Sequence, residues 1–256
     1  MKILAVGDIV GLNGLNKLKE ILPNLKQREK IDFVIVNGEN SAGGMGITEK
    51  NYRDILGCGA DVVTMGNHTW GKKDIFKFID EPQIIRPANY PKGVVGKGYS
   101  IFEKNSKKIA VINLIGRVDM NILSENPFIL AKELVEELNQ KVDMIFIDFH
   151  AEATAEKIAL GNYLDGKITA LFGTHTHVQT ADEKILKNGT AYITDIGMTG
   201  PEESVIGMEI SASIKRFETT LPEKYKLAEG NCMLNGCIFD VNDETCKVQK
   251  INRIQM

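Results

Sequence analysis

Short apolar runs alternate with stretches of helical periodicity through the first two thirds of the chain. The apolar runs are rich in Val and Ile and predict strands at 2–7, 32–37, 61–65, 108–114, 143–149 and 169–173. Continuous apolar runs of this length are typical of strands buried on both faces. Apolar residues at spacings of three and four predict helices at 13–30, 48–57, 72–80, 126–141 and 154–164. Thr48 and Asn126, which precedes Pro127, are suited to begin two of these helices.

The pattern changes after residue 190, where helix signals become few. The segments that predict antiparallel β-structure there are AYITD, VIGMEISASIKRF, CMLNGCIFDV and KVQKINRI. The sequence contains no internal repeat, low-complexity tract or linker rich in Pro, Gly and Ser. We therefore expect one domain over residues 1–256, an α/β layered sandwich with two mixed β-sheets inside and helices outside.

The composition is that of an ordinary globular protein. Of 256 residues, 43% are hydrophobic and 25% are charged, close to the usual proportions. A compact chain of this length buries roughly 70–75% of its unfolded surface, so it needs no disulfide or structural metal in order to fold. Any metal that it binds is free to serve a function.

The net charge argues against one class of partner. Thirty-one Lys and Arg against 34 Asp and Glu give a formal charge of −3. A chain without a basic excess lacks the electrostatic footprint for stable binding of a long nucleic acid. A small nucleotide or another phosphate remains a candidate ligand, because bound metals add charge that composition does not count.

The N-terminus and the cysteines both predict a cytoplasmic protein without a membrane segment. In MKILAVGDIVG the apolar run is short and is interrupted by Gly7 and Asp8, which predicts a first strand rather than a signal peptide. The four cysteines form no CxxC motif, and none of them stands next to a His. We therefore expect free thiols at Cys58, Cys232, Cys237 and Cys246.

Polar side chains gather where the predicted strands end. The segments are Gly7-Asp8, Asn37-Gly38-Glu39-Asn40, Gly66-Asn67-His68, His150 and Gly173-Thr174-His175-Thr176-His177. The carboxyl ends of parallel strands share one edge of a sheet, which is where open α/β sheets bind ligands. All four histidines of the chain directly follow such runs, which is hard to ascribe to chance. Each residue alone has a plainer interpretation as a cap, turn or loop residue.

Together these residues form a mixed set of oxygen and imidazole donors. Such a set suits iron, manganese or zinc better than calcium or magnesium. The donors are too many for one open site, and they predict two metal ions about 3.5–4 Å apart with a shared carboxylate. Two such ions outweigh the charge of two carboxylates, so the loaded site is positive and attracts a phosphate.

The same motifs resemble the calcineurin-like metallophosphoesterases, and in particular the YmdB family of bacterial phosphodiesterases. The family likeness rests on GENSAGGMGIT (38–48), GNHTW (66–70), RPANYP (86–91), HAEAT (150–154), GTHTHVQTAD (173–182) and AYITDIGMTGP (191–201). It covers nearly the whole chain and implies the α/β/β/α layered sandwich of metallophosphoesterases.

The chain departs from the broad superfamily pattern at two ligand positions. The usual Asp-x-His of the first strand is here Asp8-Ile9-Val10, and Glu39 replaces the usual bridging Asp. Both changes match the YmdB-like subgroup and therefore do not imply a dead site. Gly71 stands where an acidic residue is usual, but it lies outside the ligand set.

The resemblance implies a role for each residue. One metal ion would be held by Asp8, Asn40 and His177, and the other by Asn67, His150 and His175. Glu39 would bridge the two ions. His68 would not be a ligand but would donate a proton to the leaving oxygen. Iron is the implied metal, with manganese able to substitute.

The implied activity is that of a phosphodiesterase acting on small cyclic nucleotides. A hydroxide between the two ions would open a 2′,3′-cyclic nucleotide at the 2′ oxygen and leave a 3′-phosphate. Substrates that remain open are 3′,5′-cyclic nucleotides and phosphomonoesters. Two rival functions also stay open, namely a regulatory protein that binds a nucleotide or another protein, and a nuclease that acts on RNA. The sequence leaves a homo-oligomer open as well.

Two further features have no assigned chemistry. We interpret 197–201 as a tight turn in preference to a segment that contacts the substrate. Trp70 is interpreted either as a platform for stacking a base or as a buried anchor.

Overall fold

The computed structural model describes residues 1–224 and 226–256. Its helices are α1 (Gly11–Glu29), α2 (Glu49–Gly57), α3 (Pro127–Leu138), α4 (Thr154–Tyr163) and α5 (Ile210–Thr219), and Lys73–Lys77 forms a 3₁₀ turn. Its strands are β1 (Lys2–Val6), β2 (Asp8–Ile9), β3 (Phe33–Asn37), β4 (Val62–Thr64), β5 (Ile84–Ile85), β6 (Tyr99–Lys104), β7 (Lys107–Ile115), β8 (Met144–His150), β9 (Ala170–Thr174), β10 (Lys184–Ile185), β11 (Ala191–Ile193), β12 (Met198–Pro201), β13 (Cys232–Val241) and β14 (Val248–Gln255).

The strands form two mixed sheets. In the first sheet the order is β2-β12-β13-β1-β3-β4-β5, with β14 beside β13. Strands β1, β3, β4 and β5 are parallel, whereas β13 is antiparallel to β1, β12 and β14. The second sheet has the order β10-β11-β9-β8-β7-β6, with a parallel centre and antiparallel edge strands.

Apolar clusters hold the layers together. One cluster lies between the sheets and includes Phe33, Phe146 and Phe239. Another packs α1 and α2 on the outer face of the first sheet through Leu18 and Ile55. A third packs α3 and α4 on the outer face of the second sheet, with side chains that include Ala131, Val135 and Leu160. The order of layers is therefore helix, sheet, sheet, helix, and the predicted α/β/β/α sandwich is confirmed.

The helix starts predicted from local signals are confirmed at two places. Thr48 begins α2 by accepting a hydrogen bond from the Asn51 amide. Asn126 accepts from the Phe128 amide, with Pro127 as the first helical residue. The helix predicted at 72–80 is only the 3₁₀ turn, and strands β5 and β6 lie outside the segments predicted as strands. The interpretation of 1–256 as one domain stays a prediction.

Two predictions after residue 190 are wrong. The pattern of 205–217 predicts β-structure, but α5 begins at Ile210 within this segment. The segment 197–201 is not a tight turn, because its last four residues are strand β12, which pairs with β2 and β13. Strand β12 places Met198 opposite Asp8, and it thereby supports the strand that carries a candidate ligand.

Gly14 lets helix α1 lie directly on β12. A Cβ atom at this position would overlap the carbonyl oxygen of Thr199. Replacing a helical Gly with Ala ordinarily favours the helix by about 1 kcal/mol. At Gly14 the backbone of β12 must shift, so we expect Gly14→Ala to lower the free energy of unfolding by about 1–3 kcal/mol in urea titrations.

Gly57 is the matched control for this prediction. It is exposed at the end of α2, and a Cβ there meets nothing within 4 Å. Gly57→Ala should therefore leave the free energy of unfolding unchanged or raise it by less than about 1 kcal/mol. Equal stability of the Gly14→Ala variant and the unaltered chain would contradict the proposed close contact.

The cysteines are as expected, because Cys58, Cys232, Cys237 and Cys246 are all free thiols. None of the helices in 1–224 and 226–256 is long and apolar enough to cross a membrane.

Candidate metal centre

The predicted site residues meet where strands of both sheets end. Asp8 follows β1, Glu39 and Asn40 follow β3, and Asn67 and His68 follow β4, all in the first sheet. From the second sheet, β8 ends at His150 and β9 leads into His175 and His177. The sequence analysis expects these residues at the edge of one sheet, whereas in the structure both packed sheets contribute residues to the site. All eight residues nevertheless belong to one continuous network of hydrogen bonds and short polar contacts.

Glu39 lies at the centre of this cluster and is fully buried. Its Oε1 atom is 3.1 Å from His150 Nε2 and 3.5 Å from His68 Nδ1. The Oε2 atom accepts a hydrogen bond from the His68 amide at 2.9 Å. Burial alone would raise the pKa of Glu39, but the charge and hydrogen bond of His150, together with His68, lower it to about 2. The carboxylate is therefore ionised and aimed at the imidazoles.

His150 presents Nε2 to the cluster. The hydroxyl of Thr174 donates to Asp148 Oδ1 at 2.7 Å, so in its contact with His150 Nδ1, at 2.9 Å, it must accept from the ring. Burial would lower the pKa of His150, but Glu39 and the nearby carboxylates raise it to about 9. An incoming cation must therefore displace a proton from Nε2.

The other two imidazoles are oriented by different partners. His175 Nε2 lies 3.1 Å from the Glu152 carboxylate, which leaves Nδ1 facing His150 Nε2 at 3.1 Å. His177 Nδ1 donates to the Ile206 carbonyl at 2.9 Å, which leaves Nε2 facing inward. Burial and the charge of His150 lower the pKa of His175 to about 3. This imidazole is therefore neutral and able to bind a metal at ordinary pH.

Asp8 provides an independent sign that the cluster suits a cation. It is fully buried, and its Oδ1 atom has no hydrogen-bond partner among the described residues. Oδ1 lies 3.9 Å from His150 Nδ1 and 3.9 Å from His177 Nε2. Burial raises the pKa of Asp8, which is the cost of enclosing a carboxylate without a compensating charge. A metal ion would supply that charge.

The remaining contacts agree with this fit. One ligand atom each from Glu39, His150 and His175 lies within 4.8 Å of the other two. Gly66 borders the same space, and a Cβ on it would overlap Glu39 Oε2 and the His150 ring. The residues present therefore fit the metal site that the sequence predicts.

The amide and proton-donor candidates lie beside these groups. Asn67 Oδ1 is 2.8 Å from His150 Nε2. Asn40 Nδ2 is 3.1 Å from His177 Nε2, and its Oδ1 is 2.6 Å from His68 Nδ1. His68 is about one third exposed, in contrast to the buried Glu39. It therefore stands on the solvent side of the cluster, within reach of a ligand.

A cavity of about 350 Å³ opens above the cluster. Glu39, His68 and His177 line its polar side. Ile206, Met208 and Leu227 line an apolar side. This volume lies at the small end of the usual range for ligand sites, so the cavity suits a small molecule with one charged and one apolar part.

Trp70 belongs to an aromatic group next to His68. Its ring stacks on Phe76 with centroids 5.6 Å apart and lies 5.9 Å from Tyr90. It also packs against the apolar cluster on the outer face of the first sheet. These contacts favour the interpretation of Trp70 as an anchor over that of a free stacking platform.

The sequence analysis missed the residues that orient the imidazoles. Asp148, inside the apolar run 143–149, carried a usable signal, because a carboxylate in a strand buried on both faces needs hydrogen-bond donors. It accepts from Asn37, Thr64 and Thr174. Glu152 carried no such signal, because an exposed acid after a strand is commonplace.

Comparisons with known proteins find relatives and solved structures that match nearly the whole chain. A model of the family described as YmdB-like protein matches residues 4–254. The 2′,3′-cyclic-nucleotide 2′-phosphodiesterase of Bacillus subtilis (strain 168) is 53% identical over 255 residues, which cover 99% of this chain and 96% of the relative. The crystal structure of a phosphatase from Mycoplasma pneumoniae has a TM-score of 0.95 at 39% identity, over 100% of this chain and 93% of that one. A hypothetical protein from Thermus thermophilus has a TM-score of 0.94 at 36% identity, over 100% and 99% of the two chains.

Proposed function

The chain belongs to the YmdB-like protein family, and on that premise we propose that it is a dinuclear metallophosphodiesterase of small cyclic nucleotides. The favoured reaction is hydrolysis of a 2′,3′-cyclic nucleotide at its 2′ oxygen, which leaves a 3′-nucleotide. The observation that carries this proposal is the group of carboxylate, amide and imidazole donors around Glu39, at the floor of a cavity that suits a small ligand. The Bacillus subtilis relative is named for the same reaction.

Two ions would share the donor groups. Asp8, Asn40 and His177 would hold one ion, and Asn67, His150 and His175 would hold the other, with Glu39 between them. Bound ions would supply Lewis acidity, activation of water and neutralisation of the phosphate charge. We favour iron, with manganese as a substitute, because the family resemblance implies these metals and mixed oxygen and imidazole donors are compatible with them.

His68 would donate the proton that the leaving oxygen needs. Its Nδ1 atom contacts Asn40 Oδ1 at 2.6 Å, so Nε2 is the ring nitrogen left for the substrate. A positioned proton donor contributes typically 10²–10⁴-fold to rate. The apolar side of the cavity would receive the base or ribose, which turns the cyclic phosphate toward the donor groups.

The rival functions are less well supported. A protein that only binds a nucleotide or a partner has no need of a proton donor such as His68 beside the donor groups. A nuclease acting on long RNA would gain from a basic approach to the site, whereas the cavity carries Glu39 and Glu152. We further place the protein in the cytoplasm, which its free thiols support.

A panel of substrates tests the proposed function. We expect the protein loaded with Fe²⁺ or Mn²⁺ to convert 2′,3′-cyclic AMP into 3′-AMP, identified by chromatography against 2′-AMP. A 3′,5′-cyclic nucleotide and an RNA oligonucleotide serve as comparison substrates. Tight nucleotide binding without turnover would favour the regulatory alternative. Cleavage of RNA with steep salt dependence would favour the nuclease.

Metal removal should abolish turnover without unfolding the protein. The core clusters are built from apolar side chains away from the donor groups, so the chain folds on burial alone. After chelation, the far-ultraviolet circular dichroism spectrum should stay nearly unchanged, and added Mn²⁺ should restore hydrolysis. A collapse of helical signal on chelation would instead make the metals structural.

A further inference from the structure

The loop that carries His175 and His177 has an unusual backbone. His175 has a φ angle of 99° and His177 one of 65°. Residues other than glycine rarely adopt such values, and they persist only where surrounding contacts hold them. Two histidines in this conformation within three residues therefore require a support.

Lys157 and Asp195 provide contacts to this loop from the protein interior. Both side chains are fully buried, and Lys157 Nζ lies 2.8 Å from Asp195 Oδ2. Lys157 comes from α4, the helix that follows His150, and Asp195 lies shortly after β11. A buried ion pair needs close geometry and further hydrogen bonds to offset the loss of water, and this pair finds them on the loop.

The pair holds the backbone on both sides of His175. Lys157 Nζ donates to the Thr174 carbonyl at 2.8 Å. Asp195 Oδ2 accepts from the Thr176 amide at 3.1 Å and from the Thr176 hydroxyl at 2.8 Å. The peptide groups before and after His175 are therefore fixed by one ion pair.

A carboxylate is needed at position 195 because both of its oxygens accept. Oδ2 serves Lys157 and Thr176, while Oδ1 accepts from the Gly197 amide at 2.8 Å. An asparagine side chain has only one acceptor oxygen, so it can satisfy Thr176 or Gly197 but not both. Gly173 allows the close approach, since a Cβ there would meet the Thr194 carbonyl and Lys157 Cδ.

We propose that Lys157 and Asp195 are positioning residues for the 174–177 loop. They hold it in the conformation that aims the imidazoles of His175 and His177 at the donor groups around Glu39. The inference rests on the proposed function insofar as His175 and His177 are taken as ligands. Neither Lys157 nor Asp195 lines the cavity. Their effect on hydrolysis therefore passes through metal binding.

Two variants test this inference through metal affinity. Lys157→Met keeps the length of the side chain and removes its bonds to Thr174 and Asp195. Lys157→Met combined with Asp195→Asn also removes the stranded buried charge, which guards against a variant that fails to fold. We expect each folded variant to bind Mn²⁺ about 10–100-fold more weakly than the unaltered chain, the usual effect of losing support behind a ligand.

Rescue by excess metal separates positioning from general destabilisation. At saturating Mn²⁺, kcat for 2′,3′-cyclic AMP should return toward that of the unaltered chain. Tyr192→Phe is the matched control, because it removes a buried hydrogen bond to Thr194, two residues further along the chain, and no bond to the loop. It should leave the dissociation constant for Mn²⁺ unchanged.

The inference is overturned if the folded variants bind Mn²⁺ with unchanged affinity. A measurement on the unaltered chain gives a second check, since the Thr176 amide should exchange slowly with deuterium while it donates to Asp195. Rapid exchange of that amide would also overturn the inference. Failure of the unaltered chain to bind two metals would instead refute the proposed function, so the two failures are distinguishable.

Discussion

Glu39→Gln is expected to lower the metal content below two ions per chain and to abolish most hydrolysis. The substitution keeps the size of the side chain but removes the charge that both ions would share. It also places an amide donor where the main-chain amide of His68 and the side-chain amide of Asn40 already donate. Two donors that face each other in a buried site leave a hydrogen bond unmade, which costs stability. Metal analysis after desalting, together with turnover of 2′,3′-cyclic AMP, measures both losses.

Glu152→Gln is the matched control for Glu39. It removes one carboxylate charge from the same cavity and keeps an acceptor oxygen for His175. We expect this variant to retain two ions, with at most a modest loss of affinity. Two tightly held metals and full activity in Glu39→Gln would refute its role as the shared ligand.

His68→Ala is expected to retain its metals and fold but to lose about 10²–10⁴-fold in rate on cyclic nucleotides. The main-chain bond from residue 68 to Glu39 survives the substitution, so the carboxylate stays in place. A nitrophenyl diester has a leaving group that departs without a proton, and on this substrate the loss should be much smaller. Parallel rate measurements on the two substrates provide the contrast.

His68→Asn separates proton donation from support of Asn40. An asparagine amide can replace the contact of His68 Nδ1 with Asn40 Oδ1, but it cannot donate a proton to the substrate as a general acid. It should therefore show the same contrast between substrates as His68→Ala. Equal losses on both substrates would indicate positioning rather than acid catalysis, and loss of metal would make His68 a ligand.

The clustering of the histidines could be predicted because it depends on a simple property of parallel strands. His150 and His175 follow runs that are apolar throughout, and such runs are strands buried on both faces. Neighbouring parallel strands end on the same side, so residues that follow them meet. The roles of the ligands stay a prediction, since they rest on the family resemblance.

The orientation of the imidazoles could not be predicted. Which nitrogen of His175 faces the cluster depends on Glu152, and which nitrogen of His150 does so depends on Thr174 and Asp148. These contacts are decided by tertiary packing, and sequence spacing does not encode them.

The wrong prediction around α5 has a different cause. In 205–217, Ile206, Met208, Ile210 and Ile214 lie at even spacings, which is typical of a strand. Ile210, Ile214 and Phe217 also fit the spacing of a helix. Because α5 buries none of its residues, no packed face selects between the two patterns, and the sequence alone is ambiguous.

Metal bound as proposed would link the lifetime of the protein to metal supply, because both sheets contribute residues to the cluster around Glu39. An ion held by Glu39 and His150 would act as a cross-link between the two halves of the sandwich, which the unfolded chain cannot form. By mass action, each such site would add about 2.7 kcal/mol to the free energy of unfolding when free metal is about a hundred times its dissociation constant. In a metal-starved cell the apoprotein would open more often and be degraded sooner. Scarcity of metal would then reduce the number of enzyme molecules as well as the activity of each one.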